Sequence, residues 1–271
     1  EQRRFPDGES YLRIDEDVAG QEIWIVADLS PPDPALVPVL LLADALHAQG
    51  AHRVGLLAPY LPYMRQDMAF RAGEAVSAQH VAALLSQHVD ALLTVDAHLH
   101  RIASLDEVFR IPARNLSAAG LIGDWVREQV REPLLVGPDA ESAQWVEAAA
   151  QVAGCPWTVL RKERHGDRDV RIEGDFDPAT QGLQAVLVDD VASTCGTLIE
   201  AGRVLQHAGF DAPQVAVVHA IFAGDAAGRL RAAGIERIVS SDSLPHPSNG
   251  IALAPLLARS IAAFAAGQTL D

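Results

Sequence analysis

The chain has 271 residues, a net charge of −15 and 49% hydrophobic residues. That suits roughly two domains with a core each. The acidic balance excludes generic nucleic-acid binding, which needs a basic face, but allows phosphate ligands at a local positive site. No run has the length and purity of a membrane helix and no signal peptide is visible, so no membrane partner is expected. Cys155 and Cys195 are too few for a disulfide framework and point to a reducing cytoplasm. The chain opens on Glu1-Gln-Arg-Arg-Phe5 without an initiator Met, which reads as trimmed or short.

Tyr11–Ile14 alternates like a short strand, and Glu22–Ala27 is a stronger one ending at Asp28. Ser30 to Pro34 is a loop, and Ala35 to Gln49 is apolar at helical spacing until Gly50. Arg53–Ala58 is a strand. Tyr60 to Val76 is polar, basic and aromatic and reads as a long functional loop. Ser77 is expected to cap a helix running through Gln87. Ala91–Val95 is a strand ending at Asp96-Ala-His98, and Leu116 to Val130 contains a helix. The cycle then restarts. Pro133–Val136 is a strand ending at Gly137-Pro-Asp139, Glu141 to Val152 is a helix, and Trp157–Leu160 is a strand ending in Arg161 to Asp167. Gln214–His219 and Arg237–Ser240 are further strands, Pro245 to Pro247 is a loop, and Ala254 to Ala266 is a closing helix.

Between these lies Ala185 to Leu198. Four apolar residues, Ala185 to Val188, suit a strand buried on both faces. Asp189 and Asp190 follow, then Ala192, Ser193, Thr194, Cys195, Gly196 and Thr197, then a helix from Leu198 to His207. A loop from a strand's carboxyl end to a helix N-terminus is a phosphate site in α/β proteins, where free N–H groups meet the helix dipole. Adjacent carboxylates suit vicinal sugar hydroxyls or a magnesium ion. The pattern is not a Walker loop, because no Gly-Lys-Ser/Thr closes it.

Strands alternating with helices in two series imply α/β domains with parallel sheets flanked by helices. The expected division is residues 1–113 and 114–271, with a cleft between the strand ends and the last helix able to pack back on the first domain.

The strand-Asp-Asp loop resembles the phosphoribosyl-binding loop of the type I phosphoribosyltransferase fold. Phe5-Pro-Asp-Gly-Glu9, Pro59-Tyr-Leu-Pro-Tyr-Met-Arg-Gln-Asp67, Val95-Asp-Ala-His98, Gly137-Pro-Asp139, Lys162-Glu-Arg164 and Val188-Asp-Asp-Val-Ala-Ser-Thr-Cys-Gly-Thr197 occur in one order. That order resembles the ribose-phosphate pyrophosphokinases, in an archaeal-type variant, over nearly the whole chain. The resemblance implies two tandem phosphoribosyltransferase-like domains, the first on the ATP side and lacking its N-terminal edge. It implies a diphosphokinase, with ATP and ribose 5-phosphate giving phosphoribosyl pyrophosphate and AMP.

The resemblance also implies roles. Asp189 and Asp190 take the ribose hydroxyls, and Ser193, Thr194, Cys195, Gly196 and Thr197 wrap the 5-phosphate. Lys162 and Arg164 are the transition-state cations. Phe5, Asp7, Glu9, Arg65, Gln66, Arg71 and His98 contact ATP. Asp96, His98 and Asp139 are the metal-side residues, for Mg2+. His98 with His100 hints at zinc, but no further ligands cluster nearby. Phe5, Asp7 and Glu9 match a turn that reaches a neighbouring subunit, which implies a dimer or higher with ATP near the interface.

Four departures from the family pattern stand out. Ser193 replaces a commonly acidic residue, as in archaeal-type members. Met68 to Arg71 is less basic than in many relatives. The first strand and helix are missing. Glu141 stands where small residues usually follow Asp139 and places a carboxylate beside a pyrophosphate turn. The alternatives are a non-catalytic, synthetase-like regulatory subunit and a phosphoribosyltransferase joining a base to the sugar.

Overall fold

The structure, a computed structural model, describes residues 1–99, 101–165, 169–174 and 176–266. It divides into two compact units, Glu1–Leu116 and Ser117–Asp271.

The first unit opens with a two-stranded antiparallel hairpin, β1 (Gln2–Arg4) and β2 (Ser10–Leu12). Its sheet is parallel, formed by β3 (Glu22–Val26), β4 (Arg53–Ala58), β5 (Ala91–Val95) and β6 (Ala113–Leu116) in that spatial order. Every residue of β5 is buried, which is why it is a continuous apolar run and not an alternating one. Helices α1 (Pro32–Ala48) and α2 (Ser77–His88) supply Leu36, Val39, Ala43 and Leu46, and Ala78, Ala82 and Leu85, to the core. Each buried Leu contributes roughly 1.5–3 kcal/mol over its exposed state. The expected cap by Ser77 is corrected: Ser77 is the first helical residue, Val76 holds the cap position, and no side chain caps that end.

The second unit carries a six-stranded sheet: β7 (Pro133–Gly137), β8 (Trp157–Val159), β11 (Gln184–Ala192), β12 (Gln214–Ala220), β13 (Ile238–Ser241) and β14 (Asn249–Ile251). The spatial order is β14-β13-β12-β11-β7-β8, and every pairing is parallel. From β7 the chain builds outward to β8, then returns to the other side of β7 and builds outward through β11 to β14. The order therefore reverses between β7 and β11, and a crevice at such a switch point is where open α/β sheets bind ligands. The helices are α3 (Ala119–Gln129), α4 (Ala143–Ala153), α5 (Gly196–His207), α6 (Ala226–Ala232) and α7 (Ala254–Ala265). Leu134, Val136, Leu187, Leu198, Val215 and Val217 lie in one buried cluster.

Two further expectations are corrected. The Ala185 strand does not stop at Val188. It continues to Ala192, because Asp189 pairs with Val217, Val191 with His219 and Ala192 with Ala220 on β12. Arg161 to His165 is not a simple strand end. It forms β9 (Arg161–His165), which pairs antiparallel with β10 (Asp169–Glu173). Gly166 and Asp167, read as part of the same stretch, lie outside the described residues, as does His100. Among the described residues no helix is long and apolar enough to cross a membrane.

Candidate active site

The switch point collects the acidic residues. β7 and β11 run in register from Pro133 opposite Gln184 to Val136 opposite Leu187. Asp139 leaves the end of β7 while Asp189 and Asp190 continue along β11. Burial, then the neighbouring charges of Asp190 and Asp139, hold the Asp189 carboxyl well above the usual carboxylate range. Asp189 still accepts the Asp190 backbone N–H at 3.1 Å.

Asp139 is fixed by its own turn. Its carboxylate accepts the Glu141 N–H at 3.1 Å, and its carbonyl accepts the Ser142 hydroxyl at 2.7 Å. That hydroxyl occupies the space over Gly137, where a Cβ would stand 2.2 Å from it and 2.8 Å from Val159 Cγ1. Gly137 thus lets the turn close, and the turn aims Asp139. The helix expected from Glu141 begins at Ala143, after a 3-10 turn at Ala140–Ser142. Glu141 is exposed on that turn.

Crowded carboxylates of this kind suit a hard divalent cation that prefers oxygen ligands. Among the described residues no three His, Cys, Asp or Glu side chains are grouped to hold a metal by themselves. Asp96 and His98 belong to the first unit and Asp139 to the second.

The loop after β11 is held by its carbonyls. Ala192 O accepts from Phe222 N at 2.8 Å, Ser193 O from Ala223 N at 3.1 Å, and Thr194 O from Arg229 Nη2 at 2.7 Å. These peptide bonds are trans, so each N–H points opposite to its carbonyl. The N–H groups of Ser193, Thr194 and Cys195 therefore face away from residues 222–229, towards one side. The first N–H groups of α5 extend the set, since no side chain caps that end and its first turn carries no acidic residue. Among the described residues, none of the N–H groups from Ser193 to Leu198 donates to another part of the chain. Such a nest of amides at a helix N-terminus is built for an anion.

Cys195 turns the chain into α5 in the left-handed region, φ 60°, at a cost of about 1–2 kcal/mol for a non-glycine residue. Its thiol is buried, and burial pushes its pKa to about 11. It therefore serves as a packed neutral group and not as a nucleophile.

Lys162 and Arg164 lie two positions apart in β9, opposite Ile172 and Val170 of β10. The hairpin begins directly after Leu160, whose N–H donates to Gly137 O at 2.9 Å. It thus leaves the sheet next to β7, at the carboxyl ends of the strands.

In the first unit the expected residues lie on three segments, the β1–β2 turn, the long loop after β4 and the end of β5, each held by its own contacts. Asp96 is buried with φ 35°, and its N–H donates to Leu116 O at 2.8 Å. The next N–H, of Ala97, donates to Asn115 Oδ1 at 2.8 Å, which fixes the path to the half-buried His98. In the long loop, Leu61 and Met64 are buried anchors and Arg65 is exposed. One oxygen of Glu74 accepts from Phe70 N at 2.8 Å, Arg71 N at 3.1 Å and Gln66 Nε2 at 3.3 Å. The Asp67 carboxylate, 3% exposed, takes both its oxygens to Arg101 Nη1 at 3.0 and 3.3 Å. The Arg101 guanidinium also lies 5.3 Å from the Phe70 ring centre.

Phe5, Asp7 and Glu9 share the β1–β2 turn. Asp7 Oδ1 accepts Glu9 N at 3.2 Å, and Gly8 takes φ +96°. Phe5 is exposed, edge-on to Tyr11 at 5.9 Å and beneath Arg3 at 4.8 Å. Glu9 also lines a groove of about 380 Å³ with Arg4, Asp33, Val37 and Leu41.

Sequence reading missed Glu74, the Asp67–Arg101 pair, Asn115 and Arg229. Glu74 carried a weak local signal, a carboxylate directly after Gly73 in a loop. Arg229 carried none, since its partner is 35 residues away and its short helix contains Gly228.

Residues 1–88 match the family described as the N-terminal domain of ribose phosphate pyrophosphokinase, and residues 104–243 match the phosphoribosyl transferase domain. A ribose-phosphate pyrophosphokinase of Methanopyrus kandleri is 36% identical over 265 residues, covering 96% of this chain and 89% of the relative. The protein of the same name from Thermococcus kodakarensis is 31% identical, covering 94% and 89%. The crystal structure of phosphoribosylpyrophosphate synthetase from Mycobacterium smegmatis superposes with a TM-score of 0.85 at 28% identity, covering 98% of this chain and 90% of that one. The chain belongs to the ribose-phosphate pyrophosphokinase family.

Proposed function

We propose that the protein transfers the diphosphate of ATP to the 1-hydroxyl of ribose 5-phosphate, giving phosphoribosyl pyrophosphate and AMP. The observation that carries this reading is the amide nest at residues 193–198 beside the Asp189–Asp190 pair. One end of the site suits a phosphate and the other suits the hydroxyls of the sugar bearing it.

In this reading Asp189 and Asp190 accept hydrogen bonds from the ribose hydroxyls. The N–H groups from Ser193 to Thr197, with the Ser193, Thr194 and Thr197 hydroxyls, hold the 5-phosphate. Cys195 and Gly196 contribute backbone and little bulk. The sugar's 1-oxygen bonds to the β-phosphorus of ATP as the bond to the α-phosphate oxygen breaks, and the hydroxyl proton passes to solvent. Lys162 and Arg164 neutralise the charge on the moving group. Both residues lie on β9 of the β9–β10 hairpin, beside the switch point. Arg65 and Arg71 are placed on the ATP polyphosphate, Gln66 on the nucleotide, and Phe5, Asp7 and Glu9 on the adenine. Mg2+, to which Asp139 would offer a carboxylate oxygen, would supply charge neutralisation for the polyphosphate when bound. Asp96 stands on the metal side of ATP. His98 is assigned to the phosphates first, because imidazole is an uncommon magnesium ligand.

The exposed Phe5 turn supports self-association, as a dimer or higher with ATP near the subunit interface. Two free cysteines support a cytoplasmic setting. The domain limits remain proposed as 1–113 and 114–271, although Ala113–Leu116 is also the edge strand of the first sheet.

The test is AMP formation from ATP and ribose 5-phosphate. Turnover supports the reading. ATP binding without AMP formation points to a regulatory subunit, and pyrophosphate release from phosphoribosyl pyrophosphate with a nucleobase points to a phosphoribosyltransferase. Lys162→Ala is expected to lower turnover on the order of a hundredfold or more, as for loss of one strong transition-state contact. Unchanged turnover removes Lys162 from the mechanism.

A further inference from the structure

We infer that Arg229 is a positioning residue for the sugar phosphate: by gripping the Thr194 carbonyl, it keeps the Thr194–Cys195 peptide turned so that its N–H faces the anion. The inference rests on the functional reading above. Three successive carbonyls, of Ala192, Ser193 and Thr194, must all point away from the nest for their N–H partners to converge. The first two are held by backbone N–H groups of Phe222 and Ala223. The third is held by a side chain, Arg229 Nη2 at 2.7 Å.

That third position is also where the loop is strained. The residue following the gripped carbonyl is Cys195, a non-glycine residue at φ 60°. Left alone, such a peptide relaxes by rotating its plane. Rotation would replace an inward N–H with an inward carbonyl oxygen, which repels phosphate. Arg229 opposes the rotation with a charge-assisted hydrogen bond, stronger than a neutral one.

The guanidinium is itself well placed. Its backbone N–H donates to Asp225 O at 3.0 Å, and α6 is pinned by the buried side chains of Ala226 and Leu230 on either side of it. The positive charge also reaches the loop: it opposes the burial that raises the Cys195 thiol. Arg229 lies on the surface, so replacing it removes the grip without opening the core.

The experiment uses the full chain. Ribose 5-phosphate binding is measured by calorimetry, and KM for each substrate and kcat are measured for wild type, Arg229→Met and Arg229→Lys. Arg229→Met is expected to weaken ribose 5-phosphate about tenfold, as for loss of one charge-assisted hydrogen bond, with KM for ATP unchanged. Arg229→Lys keeps a cation but not the planar fork, and is expected to recover part of that loss. It also keeps the test open if the Met variant folds poorly. Equal affinity for the sugar phosphate in all three proteins overturns the positioning role. So does a fall in kcat with both KM values unchanged, or a matched rise in both KM values. Failure of the wild type to bind ribose 5-phosphate overturns the functional reading itself, which separates the two failures.

Discussion

The two sheets position ligand-facing loops in different ways. In the second unit the strand order reverses between β7 and β11, and the crevice brings Asp139, from the turn after β7, near Asp189 and Asp190 of β11. The loop that follows presents backbone N–H groups. In the first unit the described strands run β3-β4-β5-β6, in chain order, with no reversal. Its long loop is shaped by carboxylates instead, Glu74 on three N–H donors and Asp67 on Arg101. A phosphate is a compact anion that amides can hold in one place. A nucleotide is longer and more varied, and side chains on a folded loop suit it better. The contrast implies that the amide nest of the second site tolerates loss of the side chains that face the phosphate, with Arg229, which turns one of its carbonyls, as the exception, whereas the loop of the first depends on single side chains.

Among the carboxylates and loop residues of this contrast, the largest expected effect is at Asp189. Asp189→Asn keeps the shape but removes an anionic acceptor for a sugar hydroxyl, and turnover should fall on the order of a hundredfold. Stability should move the other way. The folded carboxyl titrates well above the ordinary range, so between the unfolded and folded pKa values the folded state binds more protons. Stability contributed by this group is therefore lost as pH rises through that window. Asn removes the loss, so the melting temperature should increase at neutral pH, and the gain should shrink as pH falls towards about 4, the unfolded value. A lower melting temperature at neutral pH would show that the carboxylates do not crowd one another, and would erase this half of the contrast.

Next in size is Glu74. Glu74→Ala releases Gln66 and the N–H groups of Phe70 and Arg71 together. KM for ATP should rise about tenfold, the scale of one hydrogen bond to a charged group with the rest made up by water. KM for ribose 5-phosphate should not change. Glu74→Gln keeps one acceptor oxygen and should fall between. If Glu74→Ala leaves KM for ATP unchanged, the loop does not depend on its carboxylate hub, and the two sites are held more alike than the structure indicates.

Much of the fold was legible because parallel strands buried on both faces are unbroken apolar runs, as at Arg53–Ala58 and Ala91–Val95. Where strands lack that signature, reading failed. Asp189 and Asp190 look like a loop because carboxylates are rare in strands, yet pairing with β12 carries them to Ala192. Gln2–Arg4 and Asn249–Ile251 have too little apolar content to stand out. Sequence reading drew the candidate residues from short motifs near strand ends and took their roles from the family resemblance. It could not supply what orients them, because the Arg229 and Asp67–Arg101 contacts span 35 and 34 residues. Nor could it foresee the strand reversal that brings Asp139 beside Asp189.

The smallest expected effect is the most discriminating. Thr197→Ala deletes a hydroxyl at the second position of α5 but keeps its amide, and Ala is the best helix former. If amides do most of the work, one neutral hydroxyl is worth about 0.5–1.5 kcal/mol, and KM for ribose 5-phosphate should rise about threefold. The helix needs no side-chain cap from this residue, so the melting temperature should stay close to wild type. A loss as large as that expected for Arg229→Met would mean that the hydroxyl, and not the backbone, holds the phosphate. The second loop would then be a side-chain site like the first, and the turned carbonyls of residues 192–194 would be a consequence of its packing.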